Sequence, residues 1–478
     1  MITASDLVAI LPLIIVAGGS VVAMLAIAVR RNHALTAGLT LSTFVFALAS
    51  MLLIVPAVPR AVTPLFVVDA FSLLFTAILL TGGIVIAILC HNYLSKLAAR
   101  RDELYLLLLV AMTGAITGTS ATHFLSLFLA IELLTIPLYA MIAYLPRRGE
   151  PLEAGMKYLV LAGASSAILL FGMALIYAES GTMEFAAIAN AAVPGRSSAV
   201  WLAGFALLLT GFGFKLAIVP FHLWTADVYQ GAPAPVTAFI ASVSKGAMVA
   251  LMFRLLHTTG QISVPAVSIG LAFLAIASML GGNLLALLQT NLKRLLAYSS
   301  IAHLGYVLVA MQLTGLLAAP AVTFYMIAYI ISVLIAFGII GALSTPDGEP
   351  EDIDHYTGLF WYRPWLATLL TLAMLSLAGM PLTAGFIAKY YVVAAGAAVS
   401  AWLLLIVLVI SSTIGLYYYL RVVVAVYSTG SLTVPLTQRL GPGPVVALGL
   451  LTACLVWLGI IPGSLIELLM ATPGVGLR

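Results

Sequence analysis

Two lysines, Lys215 and Lys245, stand in apolar sequence on either side of a proline-rich connector, in the stretch GFGFKLAIVPFHLWTADVYQGAPAPVTAFIASVSK. An ammonium in hydrocarbon costs about 3 kcal/mol or more unless it is paired or faces water, so a lysine kept there is a functional candidate by default. Pro220, Pro233 and Pro235 interrupt the backbone between them, and His222, Trp224, Asp227 and Tyr229 fall in the interruption. Irregular backbone at membrane depth is tolerated only where protein or trapped water satisfies its polar groups. Glu132, His303 and Lys389 also lie inside long apolar runs. Burial disfavours the charged form of a lysine, and a carboxylate within about 4–6 Å restores it. A buried Glu and Lys together can therefore hold a proton or let it go as their spacing or charge changes.

The elements that must carry these residues follow from composition. The chain has 478 residues, 63% hydrophobic and 8% charged, where a soluble domain has about 25% charged. It is predicted to be an all-α polytopic membrane protein. A β-barrel is excluded because the apolar runs are long and do not alternate. The net charge of +4 carries no nucleic-acid signal, since the basic residues sit in short loops. Cys90 and Cys454 are isolated and suit apolar packing. No haem, iron–sulfur or flavin motif is visible, and no stretch is long enough for a globular catalytic domain.

Runs of spanning length occur near 7–29, 35–55, 69–94, 104–119, 123–145, 157–178, 200–222, 234–257, 264–285, 292–313, 321–344, 364–395, 400–428 and 443–470, about fourteen transmembrane helices. The 364–395 run is too long for one straight helix and should break near Gly379, Pro381 and Gly385. The first run lacks a basic lead and a cleavage site, so it is read as a retained helix. Arg30, Arg31, Lys96, Arg100, Arg101, Arg147, Arg148, Lys293, Arg294, Arg363 and Arg439 fall in odd-numbered loops, against Arg60 and Arg196 in even ones. Odd loops therefore face the cytoplasm, and both termini the other side. The acidic segment 344–363 could cap the cytoplasmic surface or touch a partner.

Residues 104–258 and 259–428 each hold five spans, between three leading helices in 1–103 and a last helix in 429–478. Five is odd, so the second block enters inverted, as in many ion carriers. The fourth helix of each block is interrupted, at Pro220 and Pro381, and carries Lys215 or Lys389; the second carries Glu132 or His303. Lys245 lies ten residues after Pro235, about 15 Å along a helix and so near the middle of a bilayer core of about 30 Å. Matching discontinuous helices point to an ion site near the midplane.

At this point the chain resembles a known family. FKLAIVPFHLWTADVYQGAPAPVTAFIASVSK, FLAIELLTIPLYAMIAY, NLKRLLAYSSIAHLGYVL, GLFWYRPW, LSLAGMPLTAGFIAKYYV and GLYYYLRV are similar to the antiporter-like membrane subunits of bacterial-type respiratory complex I (NADH–quinone oxidoreductase), the subunit-N family above all. The resemblance covers essentially the whole chain. It implies proton translocation through Glu132, Lys215, Lys245 and Lys389, with His222, His303 and Lys157 among the polar positions often included in the same axis. Lys389 stands where the M-type subunits have glutamate, which favours the N type. Ala226 departs from the family's usual proline and leaves the local kink open. The resemblance also implies that NADH, FMN, iron–sulfur clusters and quinone belong to partner subunits, that the other membrane subunits are the partners, and that the site of action is a bacterial plasma membrane.

Two other readings stand beside it. One is a cation/proton antiporter subunit of the multi-subunit type, which shares this fold. The other is a scaffold whose polar residues only hold helices together. Among the remaining polar residues, Lys157 reads as opening the sixth helix at the interface, Asp69 as an N-cap and Arg421 as a snorkelling side chain. His33, His91, His257 and His355 read as solvated at loop edges.

Overall fold

The computed structural model of the chain describes residues 3–55, 58–97, 102–145, 149–191, 198–346, 348–429 and 440–471. Arg100, Arg101, Arg147, Arg148, Arg196, Arg439 and Asp347 lie outside the described residues. Among the described residues thirteen helices are long and apolar enough to cross a membrane, and two shorter ones, Pro364–Ala378 and Ala384–Ala398, supply a further, broken span. We number the spans in chain order: Leu11–Val29 (1), His33–Leu53 (2), Ala70–Ser95 (3), Glu103–Ser120 (4), Phe124–Ile142 (5), Glu150–Ser180 (6), Ala199–Leu216 (7), Ala234–Thr258 (8), Pro265–Leu287 (9), Leu292–Gln312 (10), Ala318–Leu343 (11), the broken pair (12), Trp402–Tyr427 (13) and Pro442–Ile460 (14).

Polar side chains set many of the helix starts. Asn32, Asp69, His123, Ser198 and Asn291 each accept a hydrogen bond from a backbone N–H of the first turn they cap, satisfying donors a helix cannot satisfy itself. Span 8 is buried along its whole apolar window, and spans 10 and 11 nearly so, while most of spans 1, 13 and 14 is not buried. The molecule is therefore arranged around spans 8, 10 and 11, with an apolar coat outside them.

The opening helix pair of each proposed block packs by the same device. A Cβ on Gly114 of span 4 would lie 2.3 Å from the Leu134 nitrogen of span 5, and one on Gly282 of span 9 would lie 2.6 Å from the Ala302 nitrogen of span 10. Glycine lets the backbones approach in a setting where packing, not water, drives helix association. Glu132 and His303 sit beside these two contacts.

Several boundaries differ from the sequence reading. Span 6 belongs to a helix beginning at Gly149, so Lys157 lies inside it and does not open it. Span 7 ends at Leu216, before Pro220, because Ala217 turns into the left-handed region at φ 61°. A separate helix, Thr225–Gly231, holds Ala226 in its first turn, where a proline is tolerated because the N–H there has no partner within the helix. Span 14 stops at Ile460, and Gly463–Ala471 is a helix of its own. The loop after span 2 folds into a small hairpin, β1 (Arg60–Thr63) and β2 (Phe66–Val68), which the all-helical reading missed. Arg60 ties it to Asp6 at 2.6 Å.

The acidic segment turns inward as a cap. Glu349 accepts from Lys293 at 2.8 Å, from the Tyr93 hydroxyl at 2.6 Å and from the Ala234 N–H at 2.8 Å. That carboxylate sits at the start of span 8, where the helix dipole favours an anion. Glu351 accepts from Gln230 and Asn291. Two of the four loop-edge histidines, His33 and His257, are packed against protein, contrary to the solvated reading, while His91 stays exposed. His33 stacks on His91 with ring centroids 4.6 Å apart, and His257 stacks on Phe253 at 4.1 Å. His355 contacts the Asp352 N–H. Arg421 donates to the Leu287 carbonyl that ends span 9 and to the Gln289 carbonyl just beyond it.

Candidate functional site

Glu132 and Lys215 are close but not paired. Glu132, half-buried on span 5, accepts from the Ser166 hydroxyl of span 6 at 2.6 Å. Lys215, 6% exposed, donates to Thr135 Oγ1 at 3.0 Å. Thr135 in turn donates to the Ile131 carbonyl of its own helix at 2.6 Å. Glu132 and Thr135 are three positions apart, neighbours on one helix face, so the ammonium stays within electrostatic reach of the carboxylate. The direct contact expected of the pair is absent because each partner is held by a hydroxyl.

Helix ends support two of the lysines. Lys215 lies in the last turn of span 7, where the dipole favours a cation. Trp224 reaches back from the connector and donates to the Phe214 carbonyl at 3.1 Å, satisfying one of the carbonyls such an end leaves open. Lys389 uses the same physics from outside. It starts from the second half of span 12 and donates to the last carbonyls of the first half, Leu377 at 3.1 Å and Ala378 at 2.8 Å, and to Ser412 Oγ at 2.8 Å. Gly379, at φ 82°, makes the turn, and a Cβ there would lie 2.8 Å from Lys389 Cδ. Lys215 thus precedes its break and Lys389 follows its own, so the two halves match in device but not in detail.

Lys245 is 1% exposed and donates to Ser300 Oγ of span 10 at 2.6 Å. It lies 5.6 Å from the Tyr229 ring centre, at a range where an aromatic face attracts a cation. The residues just before it, Ile240–Ser244, form a π-helical turn, an irregularity common at functional positions. His303, one turn beyond Ser300, is buried between hydroxyls: Nδ1 contacts Tyr325 Oη at 2.7 Å and Nε2 contacts Tyr419 Oη at 3.0 Å. Tyr419 also bonds Ser299. A neutral imidazole has one donor and one acceptor nitrogen, so one tyrosine must donate to it and the other accept.

A cavity of about 10 Å³ separates His303 from Lys389, with Tyr325, Tyr329, Ser332 and Ser376 among its walls. Beside it lies a closed polar cluster. Asn283 donates to Tyr306 and Ser411, accepts from Tyr418 at 2.8 Å, and Lys389 stands 5.4 Å from the Tyr306 ring centre.

The structure brings Lys245, His303 and Lys389 within electrostatic reach of one another and, as a second group, Glu132 with Lys215. It does not bring His222 or Lys157 into either group. His222 is half-buried in the connector, its Nδ1 without a hydrogen-bond partner among the described residues. Lys157 is 43% exposed and pairs with Glu153 and Asp227, both at 2.8 Å. Asp227 also takes Arg294 at 2.8 Å. Desolvation pushes the Asp227 carboxyl up, but Lys157 and Arg294 outweigh it and hold the group below its ordinary value. Sequence reasoning missed the hydroxyl partners Thr135, Ser166, Ser299, Ser300, Tyr325 and Tyr419. The one available signal was the SSIAH run, which puts two serines within a turn of His303. It also missed Arg254, 2% exposed and bonded through two nitrogens to Asp69 at 2.9 and 2.8 Å. Among the described residues no group of His, Cys, Asp and Glu converges to hold a metal.

Fourteen spans, two blocks with a broken helix in each and a buried row of lysines define the antiporter-like class of membrane subunit. A family profile described as "NADH:quinone oxidoreductase/Mrp antiporter, TM" matches residues 121–415. The chain belongs to this family and, within it, to the subunit N group of NADH-quinone oxidoreductase. It is 47% identical over 432 residues, 89% of this chain and 87% of the relative, to NADH-quinone oxidoreductase subunit N of Ectopseudomonas mendocina (strain ymp). Against the subunit N of Methylococcus capsulatus (strain ATCC 33009 / NCIMB 11132 / Bath) the identity is 44% over 471 residues, 97% of this chain and 95% of the relative. A chain of respiratory complex I from Thermus thermophilus superposes with a TM-score of 0.84 at 34% identity, covering 97% of this chain and all of that one. A chain of the Mrp complex from Dietzia sp. DQ12-45-1b gives 0.87 at 22% identity over 98% and 97% of the two chains, a likeness of fold alone. The chain is a multi-pass membrane protein that works with the other membrane subunits of complex I.

Proposed function

We propose that this chain moves protons through the membrane arm of NADH–quinone oxidoreductase along Glu132, Lys215, Lys245, His303 and Lys389. The observation that carries the reading is that, among the described residues, all three lysines are held by neutral oxygens and none by a carboxylate. An ion pair would lock each ammonium. Hydroxyls and carbonyls solvate it while leaving it free to give up its proton. His222 and Lys157 lie off this line and act at its edges, His222 in the break and Lys157 in the surface cluster with Asp227.

Each proton moved against 100 mV requires about 2.3 kcal/mol. That energy comes from redox chemistry in partner subunits, which hold the NADH, FMN, iron–sulfur and quinone sites. The membrane is the bacterial plasma membrane, with both termini on the non-cytoplasmic side. The stacked or bonded state of each lysine differs from that of a structural ion pair, which would favour the scaffold reading. Subunit N relatives at 44–47% identity favour a redox-driven complex over a multi-subunit antiporter, whose likeness here is of fold.

Lys245→Ala tests the reading. NADH-driven proton uptake is measured in inverted membrane vesicles, with native gels to establish assembly. The expected result is assembled complex with at least a severalfold lower uptake. Assembly and uptake equal to the unaltered complex would return Lys245 to a packing role.

A further inference from the structure

The line from Lys245 to Lys389 is interrupted at His303. Each ring nitrogen of His303 already faces a tyrosine hydroxyl, Tyr325 on one side and Tyr419 on the other. An imidazole nitrogen takes one hydrogen bond, so in this arrangement His303 has no site left for a group in the cavity. Tyr329 does. It lies on span 11, is 2% exposed, and its hydroxyl is buried without a hydrogen-bond partner among the described residues. Buried phenol hydroxyls normally find a partner. Its ring packs on His303, centroids 5.3 Å apart. Toward span 10 the hydroxyl lies near Ser300, the acceptor of the Lys245 ammonium. Toward span 12 it borders the cavity of about 10 Å³ that Lys389, Ser332 and Ser376 share. That space is about one water in size, and Tyr329, Ser332, Ser376 and, in its neutral form, Lys389 are polar groups on its wall.

We propose that Tyr329 binds a water in this cavity and with it joins the Lys245–Ser300 contact to Lys389, so that the Tyr329 hydroxyl relays the proton between the two lysines. In the transfer a proton leaves the Lys245 ammonium, each hydroxyl and the water take one proton and pass one on, and neutral Lys389 ends protonated. No other reactant is consumed. His303, held by its two tyrosines, fixes the Tyr329 ring and the wall of the site.

The proposal rests on the proton-carrying reading of the two lysines, and the test separates them. Tyr329→Phe keeps the ring and removes only the hydroxyl. In the assembled complex it is expected to lower NADH-driven proton uptake by roughly tenfold or more, on the scale of a lost proton-transfer partner, and to raise the solvent deuterium isotope effect on uptake. A high-resolution map of the unaltered complex is expected to show a water within hydrogen-bonding distance of Tyr329 Oη and Lys389 Nζ. Lys389→Ala is measured alongside. If Lys389→Ala is impaired while Tyr329→Phe assembles with unchanged uptake and isotope effect, the assignment of Tyr329 is wrong and the lysine reading stands. If Lys389→Ala itself pumps normally, the lysine reading falls and takes the proposal with it. If Tyr329→Phe does not assemble, Ala328→Val, which fills the cavity wall without touching a hydroxyl, decides the matter: normal uptake there overturns the water site.

Discussion

Thr135 separates Lys215 from a locked ion pair. Its hydroxyl accepts the ammonium at 3.0 Å while Ser166 holds Glu132 from the other side. A change in either hydroxyl contact would bring carboxylate and ammonium together, because the two anchor points are one helical turn apart. Charge should then matter more than shape. Lys215→Arg keeps a positive charge that cannot readily be released, and Lys215→Ala removes the carrier; both are expected to impair proton uptake in assembled complex. Glu132→Asp should be milder than Glu132→Gln, since it keeps a titratable carboxyl. Thr135→Val, close in shape, deprives the buried ammonium of an acceptor at a cost of about 1–3 kcal/mol and should also slow uptake. Vesicle assays read all of these. Lys215→Ala with full assembly and unchanged uptake would contradict the switch.

At the scale of elements, the break in span 12 is where backbone and site meet. Gly379 ends the first half in the left-handed region, and its missing side chain leaves the room Lys389 occupies. Gly379→Ala imposes backbone strain of about 1–3 kcal/mol and puts a methyl group against the Lys389 stem. The expected outcome is a lower thermal stability of the complex and weaker proton uptake, with the loss in uptake exceeding what Lys389 misplacement by simple unfolding would give at temperatures where the complex is intact. A Gly379→Ala complex with unchanged melting and uptake would show that the turn does not seat the lysine. Span 7 solves the same problem differently, with Ala217 in the left-handed region and Trp224 closing the helix end.

For the whole molecule, the polar row lies on and around spans 8, 10 and 11, and the less buried helices lie outside it. Glu132 and Lys389 are only half-buried within this chain. The sidedness of the molecule rests on its basic loops. Reporter fusions after Arg31 are expected to report the cytoplasm, and fusions at the C-terminus the outside. A cytoplasmic C-terminus would be incompatible with fourteen spans beginning outside.

The sequence by itself determined the class, the spans and the ionisable residues of the row. Hydrocarbon tolerates so few charges that Glu132, Lys215, Lys245, His303 and Lys389 stand out from their runs, and glycine and proline mark the break in span 12. It did not determine what these residues touch. Thr135 and Ser300 are ordinary residues in apolar helices, and only the crossing of spans 5 with 7 and 8 with 10 turns them into partners. The sequence suggested a Glu132–Lys215 contact because opposite charges attract; the tertiary structure placed a hydroxyl on each instead. Lys157 and His222 resembled members of the row because they share its chemistry. Their distance from it was decided by where helices begin and end, at Gly149 and Leu216, which weak local propensities at membrane depth leave to packing.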